Sequence, residues 1–441
     1  AGDTRDTSDQ RLLCPRPEER ARAEARRDQI RRDNADVFSF HVFVQRLLHV
    51  QHTALRMRLR GLDVNLFADF QVGLSPRDRW QRQDLFLPGY AIGAPASRTN
   101  PLGQAWGYPV LDPDGFQGNA RGLRFFEQRL ERLFADFDGL RIDHPHGIIC
   151  PWVYRDEGPA PLENVGSGAR LFASPDLPDH PALARYAIPR PSDLAPPEAA
   201  RPRWAEDWVR QLDDAQVSRY AVLMDRVIEL ARAHGIEHPD VCAEVLSTCP
   251  YPVARVLARH GLGRLRVVQK ADPTNPADAY RSETAAPEDW ITLGTHDTRS
   301  IWPVVAHWHE SGTTADWARY LAARLAPDER TRPAFAAQLA AAPHALVAAL
   351  AADLFVGPAR HVSLFFPDLF GLHDRYNVPG TISESNWSLR VPPDFATQYP
   401  RARAAGTAID LRLALATALR ARARDTHGDA IDLAARLESQ R

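Results

Sequence analysis

The sequence holds a single lysine, Lys270, so arginine carries almost all of its positive charge, a bias that reflects codon composition and assigns no function. Cysteine is scarce too. Cys14, Cys150, Cys242 and Cys249 form no disulfide framework in 441 residues, and none stands in a CxxC pair, which leaves no thiolate metal motif and points to a reducing compartment. No apolar run approaches the roughly 20 residues that cross a bilayer. The stretch Ala1 to Arg20 is polar, without the apolar centre of a secretion signal, so a cytoplasmic protein is expected. Neither sign of charge dominates: 54 basic and 56 acidic side chains leave a net charge of −2, spread without blocks, which argues against nucleic acid, an anionic membrane or a polyanionic substrate as partner. There is no internal repeat. There is also no G-x-G-x-x-G, the phosphate turn that a doubly wound dinucleotide fold requires.

What is present is an alternation of helical patterns and short apolar runs. An arginine-rich helical stretch from Pro17 to Arg60 carries Phe40, Phe43, Val44, Leu47 and Leu48 at spacings that share a face, and Leu62 to Asp69 reads as a strand. Leu123, Phe126, Leu130, Leu133, Phe134 and Phe137 predict an amphipathic helix over 122–139, followed at once by the apolar run Leu140 to Ile142. Trp204 to His234 predicts a long helix before the run Val241 to Val245. Trp290 to Gly294 and Val362 to Phe366 are two further strand-like runs. Helix, strand and polar strand end recur, which predicts an α/β protein with a (β/α)8 TIM-type barrel and functional side chains at the carboxyl ends of its strands. Two stretches break the pattern, at about 73–116 and 155–202, and read as long rim insertions; the first carries Trp80, Tyr90, Trp106 and Tyr108, aromatics of the kind on which sugar rings stack. The expected division is an N-terminal helical segment over 1–37, a barrel over 38–400 and a C-terminal helical segment over 401–441.

Three strand ends each deliver an acid: Asp143, Glu244 and Asp297. Retaining glycoside chemistry needs a carboxylate that attacks the anomeric carbon and a carboxylic acid about 5–5.5 Å away that protonates the leaving oxygen and later deprotonates the acceptor. A third acid can bind ring hydroxyls as the sugar flattens. Arg141, two residues before Asp143 in an extended run, points to the same side and is placed to hold it ionised.

These residues resemble the amylomaltases, or 4-α-glucanotransferases, of glycoside hydrolase family 77, relatives of the α-amylases, from about Phe38 to Pro392. Leu140-Arg141-Ile142-Asp143-His144 is similar to the family's nucleophile segment, Ala243-Glu244 to its acid/base segment, and Gly294-Thr295-His296-Asp297 to the segment of the transition-state stabiliser. Gly103-Gln104-Ala105-Trp106-Gly107-Tyr108-Pro109 resembles the GQxWGxP loop. Asn377-Val378-Pro379-Gly380-Thr381 with Asn386-Trp387 and Arg390 resembles the closing NxPGT and NWxxR pattern. The resemblance implies Asp143 as nucleophile, Glu244 as acid/base and Asp297 as stabiliser. It further implies substrate contacts from Asp69, Gln104, Trp106, Arg141, His144, His296 and Asn377, maltooligosaccharides or α-1,4-glucans as substrate, and no cofactor or metal. Val245-Leu246 after the acid/base, Lys270 in place of an aromatic, and Pro145-His146-Gly147 after His144 depart from the family and bear on acceptor choice and chain length. Relatives carry further strands before Phe38, so fewer barrel strands are expected here.

Two other readings are open. His144-Pro145-His146 is an H-x-H at a strand end, the spacing of a metal-dependent barrel hydrolase that would recruit Asp143, His296 and Asp297. The other is a glucan-binding protein without catalysis.

Overall fold

The structure is a computed structural model that describes residues 9, 11–97, 100–117, 120–236, 240–246, 248–326, 328–381, 383–423 and 429–439. Its contacts group the chain into two compact units, Ala1–Leu262 and Gly263–Arg441.

The first unit is built on a parallel sheet of three strands, β1 (Phe67–Gln71), β4 (Gly139–Asp143) and β7 (Val241–Ala243), with β4 in the centre. Parallel neighbours need long crossovers. The helix Arg121–Asp136 lies on the path from β1 to β4, and the helix Asp214–Ala233 on the path from β4 to β7. Their apolar stripes, Leu123, Phe126, Leu130 and Phe134 on one and Val217, Tyr220, Met224 and Val227 on the other, pack into one core with Phe70, Leu140 and Ile142 from the strands. A fully buried side chain of this size contributes about 1.5–3 kcal/mol, so this core holds the strand ends in place.

A second sheet is antiparallel, ordered β3 (Gln104–Leu111), β2 (Phe86–Ala94), β5 (Trp152–Arg155) and β6 (Ala169–Arg170). Three of its strands fall in the two stretches that read as insertions, and β5 lies just before the second of them. Ile92 pairs with Tyr108 on one side and Val153 on the other, and Leu87, Tyr90, Ile92, Val110, Val153 and Leu171 bury its inner face.

The second unit repeats the parallel scheme: β8 (Leu265–Val267), β9 (Trp290–Thr292) and β10 (His361–Ser363), with β9 central. The helices Ile301–Ser311, Thr314–Leu325 and Pro343–Asp353 cover it through Ile301, Val305, Trp317, Leu321, Leu346 and Leu350.

An α/β fold is therefore confirmed, with a three-stranded parallel sheet in each unit among the described residues. Several element bounds also move. Asp63 takes a left-handed backbone (φ 56°) and Val64 N–H bonds back to Leu59 O at 2.9 Å, so the start of the expected strand 62–69 caps the preceding helix and β1 begins at Phe67. The helix expected from Trp204 begins at Asp214, because Asp213 and Gln216 form a capping box there, with Gln216 N to Asp213 Oδ1 at 2.8 Å. The run from Val362 turns into the short helix Phe366–Phe370.

The arginine-rich stretch is two helices, Arg20–Asp33 and Ala35–Arg60, joined at Asn34. The second buries none of its residues, and Phe40, Phe43, Leu47 and Leu48 are 45–64% exposed, contrary to the packed face their spacing predicts. Val37, Val50 and Met57 extend this exposed apolar face and Val42 is exposed on the opposite side. The helix is tied to the sheet through its polar end: Arg56 and Arg60 both reach Asp138, whose other oxygen accepts from Leu66 N at 3.1 Å. No helix among the described residues is long and apolar enough to cross a membrane, and the four cysteines are unbridged.

Candidate active site

In the first unit the acids converge because the strands are parallel and in register. Asp69 on β1 lies beside Arg141 on β4, Gln71 lies beside Asp143, and Glu244 follows the last residue of β7, its N–H bonding to Ile142 O at 3.0 Å. Alternation along a strand puts Arg141 and Asp143 on one side. The Arg141 guanidinium sits between three carboxyl groups: Nη1 is 2.5 Å from Asp69 Oδ1, Nη2 is 2.7 Å from Glu244 Oε1, and Nη2 is 3.4 Å from Asp143 Oδ1. The expected contact with Asp143 is present, while the shorter ones, to Asp69 and Glu244, come from the strands on either side, about which a two-residue offset within β4 says nothing.

His144 joins the same cluster. It takes a left-handed backbone (φ 47°), rare for a residue with a side chain, which turns the chain back after β4 so that Nδ1 stands 3.0 Å from Asp143 Oδ1 and 3.1 Å from Glu244 Oε2. The Trp106 ring meets His144 edge-on at 5.2 Å between centroids, and its Nε1 donates to Gln104 Oε1 at 3.1 Å. The Gly107 backbone that follows is left-handed (φ 70°) and its N–H bonds to Tyr154 Oη, which fixes the bend in β3 that presents Trp106.

Electrostatics follow from this packing. Burial would by itself raise Glu244, which is only 3% exposed, but His144 and the Arg141 guanidinium outweigh it and hold the carboxyl well below the usual carboxylate range. Burial would keep His144 neutral, yet its hydrogen bonds to Asp143 and Glu244 push it up to about 10. Arg141, also penalised by burial, is held charged beyond its ordinary value by Glu244, Asp69 and Asp143. The resting cluster is two cations threaded through three acids.

Because the His144 value in the fold lies above the unfolded one, its contribution to stability is complete below about pH 6.5 and fades as pH rises towards 10. His144→Gln should therefore cost more stability at pH 6 than at pH 9.5 in denaturant melts against the parent chain. An equal gap at both pH values would contradict the ion pair.

One nitrogen of His144 and one oxygen each of Asp143 and Glu244 lie within 4.8 Å of one another, a spacing that suits a divalent ion geometrically. A cation already stands there: Arg141 Nη2 lies 2.7 Å from Glu244 Oε1 and 3.4 Å from Asp143 Oδ1, between the two acids. The H-x-H partner faces elsewhere, since His146 Nε2 bonds to Thr248 O at 3.0 Å.

In the second unit, Gly294–Asp297 follows β9. Asn377 Nδ2 donates to Asp297 Oδ1 at 2.6 Å, and His296 Nε2 stands 3.7 Å from the same oxygen. Trp387, which sequence reasoning noted as part of a motif but left out of the site, stacks at a tilt 5.0 Å from the His296 ring; it has a left-handed backbone (φ 64°), and its N–H bonds to Tyr376 O. Its signal in the sequence was its place in the Asn386-Trp387 pattern.

A family model described as 4-alpha-glucanotransferase matches residues 6–396. The chain belongs to the 4-alpha-glucanotransferase family. A 4-alpha-glucanotransferase of Aquifex aeolicus is 30% identical over 123 residues, 26% of this chain and 25% of that protein. One from Haemophilus influenzae is 30% identical over 132 residues, 29% of this chain and 19% of that protein. The aligned stretches thus span a quarter or less of these curated relatives. Among solved structures, the amylomaltase from Streptococcus agalactiae in complex with acarbose shares the fold with a TM-score of 0.60 at 18% identity, over 90% of this chain and 67% of that one.

Proposed function

We propose that the chain is a cytoplasmic 4-α-glucanotransferase that moves α-1,4-glucan segments between maltooligosaccharides by a retaining double displacement. The observation that carries this is the approach of Asp143 and Glu244 oxygens to within 4.8 Å at the ends of neighbouring parallel strands. Retaining pairs stand about 5–5.5 Å apart, while inverting pairs stand further apart to admit a water. Asp143 attacks the anomeric carbon as the glycosidic bond breaks, and Glu244 gives its proton to the departing oxygen. An acceptor hydroxyl then opens the glycosyl ester and returns its proton to Glu244. Asp297, held by Asn377, binds the flattened ring. By the family resemblance Asp69, Gln104, Trp106, Arg141 and His144 of the first unit and His296 and Asn377 of the second are substrate contacts.

The resting ion pairs leave Glu244 ionised, so a donor sugar must part it from Arg141 and His144, after which burial alone raises its affinity for a proton. The same reading makes the fold a (β/α)8-type barrel over 38–400, with insertions at about 73–116 and 155–202 and helical segments over 1–37 and 401–441. Four unbridged cysteines accord with the cytoplasm. The chemistry calls for no metal or cofactor.

The experiment is incubation of the purified chain with maltotriose, with and without a chelator, followed by chromatography. A ladder of shorter and longer glucans indifferent to chelator is expected. Glucose and maltose alone would mean that water resolves the intermediate, and an unchanged substrate would sink the reading.

A further inference from the structure

Asp368 is the least explained charge in the second unit. It is fully buried, and it lies after β10, away from any motif used above. Its Oδ1 accepts from Ile301 N at 2.7 Å, which caps the helix Ile301–Ser311 where the Ser300 side chain does not. Its own carbonyl accepts from Trp302 Nε1 at 2.8 Å. Its Oδ2 has no hydrogen-bond partner among the described residues. What Oδ2 does have is a neighbour that must stay small: a Cβ on Gly294 would stand 3.1 Å from it, 2.7 Å from Thr298 Oγ1 and on top of Gln269 Nε2.

The segment between these two contacts is the turn that carries His296 and Asp297. Inside it, Thr298 Oγ1 accepts from Thr295 N at 2.9 Å and from Gln269 Nε2 at 2.8 Å, so the turn is braced at its middle as well. One carboxyl group therefore meets the turn where it leaves β9, at Gly294, and where it enters the next helix, at Ile301. Burial pushes that carboxyl up to about 6, against the Ile301 N–H, which lowers it. A group so costly to bury is retained for what it holds.

We infer that Asp368 is a positioning residue that bonds the far end of the 294–301 turn at Ile301, packs against its start at Gly294 and thereby sets the place of Asp297. The role in catalysis rests on the glucan-transfer reading; the clamp itself does not.

The test compares Asp368→Ala with Asp368→Asn in the full chain. Hydrogen exchange over 294–301 reads the clamp directly: the alanine variant should exchange about 10-fold faster there, the effect of one lost buried hydrogen bond, while the asparagine variant, whose amide oxygen still accepts from Ile301, should stay near the parent rate. With maltotriose, Asp368→Ala should lower kcat about 100-fold, the scale of a misplaced catalytic group, and leave KM nearly unchanged, with Asp368→Asn restoring most of it. In an Asp297→Ala background the same change should cost almost nothing more, because it acts through that acid. Unchanged exchange over 294–301, or fully additive losses in the double variant, would overturn the inference. If Asp368→Ala does not fold, Asp368→Ser, too short to reach Ile301 N–H, takes its place and must raise exchange in the same segment. A parent chain inactive on maltotriose would overturn the transfer reading alone, since the exchange comparison still decides the clamp.

Discussion

Asp143→Asn is expected to lower turnover on maltotriose by roughly four to six orders of magnitude, the loss seen when a covalent nucleophile is removed. The change is nearly isosteric. The amide oxygen can still accept from His144, whose Nδ1 lies 3.0 Å from Asp143 Oδ1, and the 3.4 Å approach of Arg141 is the weakest of its three carboxyl contacts. Melting should therefore remain cooperative, and binding of maltooligosaccharides measured by calorimetry should persist. The two readouts together separate a lost nucleophile from a lost fold. A variant that still disproportionates maltotriose would remove Asp143 from its role, and one that neither transfers nor binds would point to a damaged site.

Glu244→Gln should cost on the order of 10²–10⁴ in turnover on glucans, the span of general acid–base catalysis, and much less on donors whose leaving group needs no proton, such as aryl glycosides. The split between donors is the informative quantity. Glu244 is bound to Arg141 at 2.7 Å and lies beside His144, so the neutral amide also strips two cations of their counter-charge and should lower stability. That structural penalty falls on both donors alike. Equal losses on both would count against proton donation and leave Glu244 as an anchor for Arg141.

The ends of the parallel strands were legible because an apolar run stopping at an acid is a local pattern: Leu140 to Asp143 and Val241 to Glu244 each announce themselves within five residues. The core-facing stripe of the helix Arg121–Asp136 was legible for the same reason. What depended on long-range pairing was not. The antiparallel sheet joins residues 86–111 to residues 152–170 across a parallel strand, and neither stretch has the clean alternation of an isolated hairpin. Arg141 found its partners through the register of three strands. His144 and Trp387 owe their positions to left-handed backbone that no side-chain pattern signals. Asp368 was visible only as a polar residue beyond an apolar run; its meaning came from a glycine 74 positions earlier, at Gly294, which the numbering alone would never connect to it.

The helix Ala35–Arg60, which buries none of its residues, has a practical consequence at the bench. Dyes that brighten on apolar surfaces are used to report loosened or molten states. On this chain they will find phenylalanine, leucine and valine side chains to occupy while every strand is still paired, so a fluorescence melt starts bright and its rise understates unfolding. Circular dichroism, blind to such sites, is the sounder gauge of when the fold gives way.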